Sequence, residues 1–297
     1  MDKGNEDKMK NSIYKKEKLS KYSWFNLGGP AETLFKPESV EDLKKFLKNN
    51  INNKQIHVLG AGSNTLFRDL GFPGIVIKLG KNFSYTRLLK NNQIEVGAAT
   101  LDKKVSDFAK ENSLSGLEFL SCIPGSIGGA ITMNSGCYGY DISQSLVSLN
   151  AISFDGEIIS YNKDQINFFY RGNSLKNNLI FLSAIFQCEY SKKQIIEKKQ
   201  IDFKSQKDKS QPSKIKTCGS TFKNPPNKKA WKLIESSSCS DLIVGGASMS
   251  PKHSNFFINN GKATSEDIEN LIKKVKEKVF LKTGINLELE IKIIGKK

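Results

Sequence analysis

Residues 116–140 read GLEFLSCIPGSIGGAITMNSGCYGY. Six glycines, Gly116, Gly125, Gly128, Gly129, Gly136 and Gly139, stand there among small residues and few charges. Glycine reaches positive φ without steric cost and lets another backbone or a ligand come close. Such a run makes a poor helix and a poor strand. It reads as backbone wrapped against something flat or anionic, bound through its N–H groups. The competing reading is a Gly-rich surface loop. Against it, Ile123, Ile127, Ile131 and Met133 point to burial.

Working outward, a second glycine loop lies upstream. His57-Val58-Leu59 is a short strand that runs into Gly60-Ala61-Gly62-Ser63-Asn64. A strand followed by a small-residue loop presents successive N–H groups to a diphosphate. This is not the G-x-G-x-x-G fingerprint. Thr65 holds the third glycine position, and no capped helix follows before Pro73. A plain turn is the alternative for this loop alone. Two such loops, residues 60–64 and 124–129, point to a large dinucleotide.

The remaining pattern is mixed. Residues 1–18 are charged and polar with no apolar core, which excludes a secretory signal and leaves a disordered or weakly helical extension. Ser39 caps an amphipathic helix, SVEDLKKFLKNN. Residues 75–79 and 94–98 read as strands, and Thr100 caps a helix with Leu101, Val105, Phe108 and Ala109 on one face. Asp155-Gly156 marks a hairpin between LVSLNAISF and EIISYN. Residues 179–190 form a long buried strand, and residues 192–209 a charged helix. CGSTFKNPP is turn-rich, KKAWKLIES a short helix and HSNFFIN a strand. Thr264 with Asp267 opens a helix that stops at Gly284. Leu287, Leu289, Ile291 and Ile293 alternate along a closing half-buried strand. The expected division is an N-terminal extension over 1–19, cofactor subdomains over 20–80 and 81–191, and a C-terminal domain over 192–297.

Composition narrows the function. The chain of 297 residues carries a net charge of +16, with 38% hydrophobic and 26% charged residues. No run of about 18 apolar residues exists, so no membrane helix is expected. The charge raises a nucleic-acid partner. However, the 46 basic residues include only three arginines, Arg68, Arg87 and Arg171. The lysines are spread along the chain, which reads as compositional bias rather than a binding stripe. Where lysine is the default cation, each arginine becomes a candidate for a planar, bidentate contact. Five cysteines without a CxxC pair fit reduced thiols in a cytosol. Two histidines, His57 and His253, argue against a zinc site or a Ser-His-Asp triad.

Three stretches carry candidate chemistry. Tyr170-Arg171 closes the aromatic run Phe168-Phe169-Tyr170, and an arginine there is a natural clamp for a carboxylate or a developing enolate. A surface arginine on an aromatic patch is the alternative. Ser220 follows Gly219 in a constrained turn and is a candidate proton donor. No histidine is close in sequence, which disfavours a hydrolase serine. Glu288 and Glu290 share the face of the last strand opposite its apolar alternation, as catalytic or as merely solvated carboxylates.

In this order, WFNLGGPAE, VLGAGSNTLFRD, IPGSIGGAITMNSGCYG, FFYRGNSL, QPSKIKTCGSTFKNP, KHSNFFINNGKAT and LELEIKIIG closely resemble the UDP-N-acetylenolpyruvoylglucosamine reductase family. The resemblance runs from about residue 20 to residue 295. The short link between FFYRGNSL and CGSTFKNP matches the family's shorter form, which lacks an insertion near the substrate. Ser135 and Cys137 stand where the family has alanines, Lys252-His253-Ser254 departs from its pattern, and Lys292 replaces a usual arginine, which weakens any bidentate phosphate contact there.

The resemblance implies an α+β fold: a two-part flavin-binding unit of the vanillyl-alcohol-oxidase (PCMH) type and a C-terminal substrate-binding domain. It implies noncovalent FAD held by Gly60, Ala61, Gly62, Ser63, Asn64, Pro124, Gly125, Ser126, Gly128 and Gly129. NADPH is the implied hydride donor, and UDP-N-acetylglucosamine enolpyruvate the implied acceptor. Arg171, Ser220 and Glu290 take the catalytic places. Tyr170, Lys223, Asn224 and Lys292 take substrate-binding places. A cytoplasmic monomer working on small molecules, with no metal, nucleic acid or membrane, completes the expectation. Two other readings stay open on the residues: a different flavin oxidase or dehydrogenase, and a basic nucleic-acid-binding protein.

Overall fold

The computed structural model describes residues 12–49 and 54–297. They divide into two compact units assembled from separated pieces of chain. The first holds residues 12–14, 34–61 and 75–207; the second holds 15–33, 62–74 and 208–297. Packing therefore does not cut the chain into consecutive blocks. Residues 15–33 and 62–74 join the C-terminal segment, and the boundary near the end falls inside the helix Lys193–Ser210.

The first unit is built on a five-stranded antiparallel sheet in the order Ile158–Asn162, Leu146–Ser153, Leu179–Gln187, Gln93–Gly97, Thr86–Leu88. The Asp155-Gly156 hairpin forms as read, with Gly156 at φ 84°. Residues 13–14, 34–35, 56–58 and 75–77 of this unit lie in a four-stranded sheet ordered Ile13–Lys18, Pro30–Phe35, Phe72–Ile77, Ile56–Val58. Its last pair is parallel, with Ile56 opposite Ile75. The helix Val40–Lys48 is capped by Ser39, whose hydroxyl accepts from Asp42 N, and it buries Leu43 and Leu47. These join Phe35, Ile75, Ile77, Ile152, Ile180 and Leu182 in one apolar cluster. A second cluster gathers Val96, Val105, Phe119, Leu120, Ile127, Ile131, Leu149 and Phe186.

The second unit carries a three-stranded antiparallel sheet, Ile243–Val244, Ala247–Ser250 and His253–Asn259, with a parallel pair, Thr65–Phe67 and Lys292–Ile294. The helix Ser265–Thr283 opens on the expected reciprocal cap between Thr264 and Asp267 and ends at Gly284, φ 70°. Its buried stripe, Ile268, Leu271, Ile272, Val275 and Val279, packs into a core with Phe25, Leu66, Phe222, Phe257, Leu287 and Ile291. Each such side chain stabilises by roughly 1.5–3 kcal/mol on full burial.

The structure corrects four expectations. Residues 1–11 of the extension lie outside the described residues, but Ile13–Lys18 is a strand and not a disordered or weakly helical tail. Lys15 Nζ donates to Thr33 Oγ1 at 2.9 Å, so this polar strand is secured by pairing and not by apolar alternation. Thr100 does not cap the helix Asp102–Glu111; its hydroxyl donates to the Tyr85 carbonyl, and Leu101 occupies the cap position with its side chain exposed. Residues 116–140 are not wholly irregular, because Glu118–Cys122 is a 3-10 turn and Ile127–Thr132 a short α-helix. Burial of Ile127, Ala130 and Ile131 outweighs the poor helix propensity of Gly128 and Gly129. The final strand is regular only over Lys292–Ile294, although Leu287 and Ile291 are buried as their alternation requires.

Candidate active site

In the first unit the two glycine loops meet. A Cβ on Gly60 would lie 2.7 Å from Ser126 Oγ and 3.9 Å from Gly129 N and Cα. Gly60 is thus the point where the loop after Ile56–Val58 touches the start of the helix Ile127–Thr132. Ser126 caps that helix through its main chain, and its buried hydroxyl has no hydrogen-bond partner among the described residues. Gly128 N–H donates to Ala98 O at 2.9 Å and Ile127 N–H to Thr100 O at 3.0 Å. Those two groups fasten the loop to the end of the strand Gln93–Gly97. Gly128 therefore works by close approach, since a Cβ there would press on Ala98 at 3.3 Å.

Beneath this loop lies a residue that no sequence motif marks. Asp102 is fully buried, and its carboxyl oxygens have no hydrogen-bond partner among the described residues. Oδ2 stands 2.3 Å from where a Gly125 Cβ would be, and Asp102 N–H donates to Gly125 O at 3.2 Å. Burial pushes this carboxyl well above the ordinary aspartate value, because ionising it would strand a charge away from water. Nothing in the charged run LDKK separates Asp102 from a solvated helix start.

Tyr170 and Arg171 form the turn between Phe168–Phe169 and Gly172–Asn173. Arg171 adopts φ 60°, a conformation few non-glycine residues take. Its guanidinium lies 4.8 Å from the Tyr170 ring centre and donates to Gly136 O at 3.4 Å. Asn173 Nδ2 donates to Ile131 O at 2.9 Å and Asn134 Nδ2 to Phe169 O at 3.3 Å. The arginine hairpin is thereby docked on the second half of the glycine-rich stretch. The other arginines face carboxylates: Arg68 makes a two-pronged contact with Glu269 at 2.7 and 2.9 Å, and Arg87 lies 3.7 Å from Glu95.

In the second unit Gly62, Ser63 and Asn64 lead into the strand Thr65–Phe67. Gly62 has φ 73°, and a Cβ there would lie 1.7 Å from the Tyr22 carbonyl oxygen, so only glycine fits. The segments bearing Ser220 and Glu290 lie side by side. Thr221 O accepts from Glu290 N at 2.8 Å, Lys223 N donates to Glu288 O at 2.8 Å, and Phe222 bridges Leu289. On the other flank Ser220 bridges Phe256, and Asn255 holds both main-chain groups of Phe222 through its amide. Ser220 and Glu290 are half-buried, with Thr221 fully buried between them. Lys223 Nζ is 3.6 Å from Glu288 Oε2, Asn224 Oδ1 accepts from Ala230 N at 3.0 Å, and Lys292 is exposed with its N–H on Asn64 O. Burial lowers the His253 imidazole below its ordinary value, which keeps it neutral beside Phe256. No group of metal-binding side chains occurs among the described residues.

Comparison with known proteins identifies the cofactor domain and the family. A family model described as an FAD binding domain matches residues 31–162, which include Gly60, Ser126 and Gly129. The residues fit that cofactor, with two glycine loops in contact and one unpartnered buried hydroxyl between them. The chain is an FAD-binding flavoprotein of α+β fold. The model for the C-terminal domain of UDP-N-acetylenolpyruvoylglucosamine reductase matches residues 211–294. A reductase of that name from Pelagibacter ubique (strain HTCC1062) is 50% identical over 279 residues, 93% of this chain and 92% of its own length. One from Wolbachia sp. subsp. Drosophila simulans (strain wRi) is 44% identical over 93% of this chain and 94% of its own. The crystal structure of the Thermus caldophilus reductase superposes with a TM-score of 0.84 at 31% identity, covering 94% of this chain and 98% of that one. The chain belongs to the UDP-N-acetylenolpyruvoylglucosamine reductase family.

Proposed function

We propose that this chain reduces UDP-N-acetylglucosamine enolpyruvate to UDP-N-acetylmuramate with NADPH, a step of peptidoglycan precursor synthesis, and that Arg171, Ser220 and Glu290 carry the protein's share of the chemistry. Bound FAD supplies hydride transfer from NADPH to the enolpyruvyl double bond. As the bond is reduced, negative charge develops beside the substrate carboxylate. The planar fork of Arg171 suits that charge, and Glu290 orients the carboxyl group. Ser220 donates the proton that the adjacent carbon then requires. A serine hydroxyl is a weak acid, so it serves only a strongly basic centre in a preorganised setting.

The observation that carries this reading is the hydrogen bond from Glu290 N to Thr221 O, which makes the Ser220 turn and the Glu290 segment neighbours. Tyr170, Lys223, Asn224 and Lys292 hold the UDP-sugar. The Lys223–Glu288 pair has Glu288 76% exposed, and such pairs contribute little, so Lys223 turns to a phosphate at small cost. The loops at 60–64 and 124–129 hold FAD. The enzyme acts as a cytoplasmic monomer without a nucleic-acid partner. The test is direct. The purified chain should be yellow, release FAD on heating, and sustain NADPH oxidation beyond one equivalent of flavin when the enolpyruvyl sugar nucleotide is supplied. A colourless chain that retains DNA through high salt contradicts the reading.

A further inference from the structure

Lys78 follows the strand Phe72–Ile77, and its Nζ donates to Gly60 O at 2.6 Å. Both ends of this contact are locked by the sheet. Lys78 N–H donates to Phe35 O at 2.9 Å, and Leu59 N–H donates to Ile77 O at 2.8 Å. The ammonium is largely withdrawn from water. Burial is the main cause that lowers its pKa, and the charge of Lys36 is the second. A partly buried cation is costly unless it is hydrogen-bonded, and the Gly60 carbonyl supplies that bond.

Peptide geometry says what that bond does. A trans peptide is planar, with C=O and N–H pointing in opposite directions. A cation that draws the Gly60 carbonyl to one side therefore turns the Ala61 N–H to the other. Gly60 is also confined by Ser126, whose Oγ lies 2.7 Å from its missing Cβ. The peptide between Gly60 and Ala61 is thus held at the place where the two glycine loops touch.

We propose that Lys78 is a positioning residue for the cofactor's diphosphate. It fixes the Gly60–Ala61 peptide with its N–H directed at the anion and sets a half-buried positive charge behind it. This rests on the assignment of residues 60–64 and 124–129 to FAD. The sequence did not single out Lys78, because a lysine at a strand end in a lysine-rich chain carries no signal.

The experiment is titration of the full-length apoprotein with FAD, followed by quenching of flavin fluorescence at low and high salt. Lys78→Met should weaken FAD binding about tenfold or more, the worth of one charge-assisted hydrogen bond, and flatten its salt dependence. Lys78→Arg should restore both. If Lys78→Met does not fold, as judged by circular dichroism, Lys78→Gln takes its place and should show the same loss. Either neutral variant binding FAD within about twofold of wild type, with an unchanged salt slope, overturns the proposal. Gly60→Val separates the two levels. A Gly60→Val chain that keeps FAD refutes the loop assignment itself. Loss of FAD in Gly60→Val but not in Lys78→Met refutes only the role of Lys78.

Discussion

Asn64 donates from Nδ2 to the main-chain oxygen of Glu290 at 3.1 Å, while its own carbonyl accepts from Lys292 N at 2.9 Å. The last residue of the GAGSN loop is therefore tied on both sides to the segment that bears the candidate catalytic carboxylate. Asn64→Ala removes the side-chain half of this tie. It should cost about 1 kcal/mol, or a Tm decrease of about 2–4 °C, and lower kcat by more than that stability loss explains. Thermal melts and steady-state kinetics on the same preparation check this. Unchanged kcat would make Asn64 a structural residue only.

Asp102 gives a pH dependence with a definite sign. Its carboxyl is held protonated in the folded chain and ionises near 3.8 once unfolded. Above that value the folded state binds the extra proton, so stability falls as pH rises until the folded pKa is reached. Asp102→Asn has no proton to lose. Its Tm should exceed that of wild type increasingly as the pH rises above about 4, and the two should converge in acid. Parallel melting curves would show that Asp102 is not buried as a neutral acid.

Gly62 and Gly139 both adopt positive φ, 73° and 86°. They differ in what surrounds them. A Cβ on Gly62 would strike the Tyr22 carbonyl at 1.7 Å, whereas nothing lies within 4 Å of one on Gly139. Gly139→Ala should cost about 1–2 kcal/mol, the left-handed penalty alone. Gly62→Ala should cost several times more and leave little folded chain. Denaturant titration of the two variants compares them, and equal losses would refute the steric argument.

Much of the fold was legible where local chemistry decides the outcome. The Ser39 cap, the Asp155-Gly156 turn and the Thr264–Asp267 cap with Gly284 all form as read. So did the loop identity of residues 60–64, because Thr65 and Pro73 exclude a following helix. What escaped depends on partners distant in sequence. Ile13–Lys18 is polar and gains its strand from Pro30–Phe35. Ile127–Thr132 is a helix because its isoleucines are buried. Asp102 and Lys78 look like surface charges until the fold places them under Gly125 and beside Gly60.

Arg171 should not tolerate lysine. Its φ of 60° and its contact with Gly136 O hold a planar group at a strained turn. A lysine supplies a point charge without the fork. Arg171→Lys should lower kcat by roughly two to three orders of magnitude, in line with removal of one preorganised charge-stabilising donor. FAD content should stay normal. Near-wild-type turnover would make the arginine a structural pin of the hairpin.

In the proposed mechanism Ser220 supplies the proton while the cofactor handles the electrons. Stopped-flow absorbance of the flavin in Ser220→Ala measures the two half-reactions separately. Reduction by NADPH should proceed at close to the wild-type rate, and reoxidation by the enolpyruvyl sugar nucleotide should slow by roughly 10²–10⁴, the worth of a positioned general acid. Reoxidation as fast as in wild type would show that Ser220 is not the proton donor.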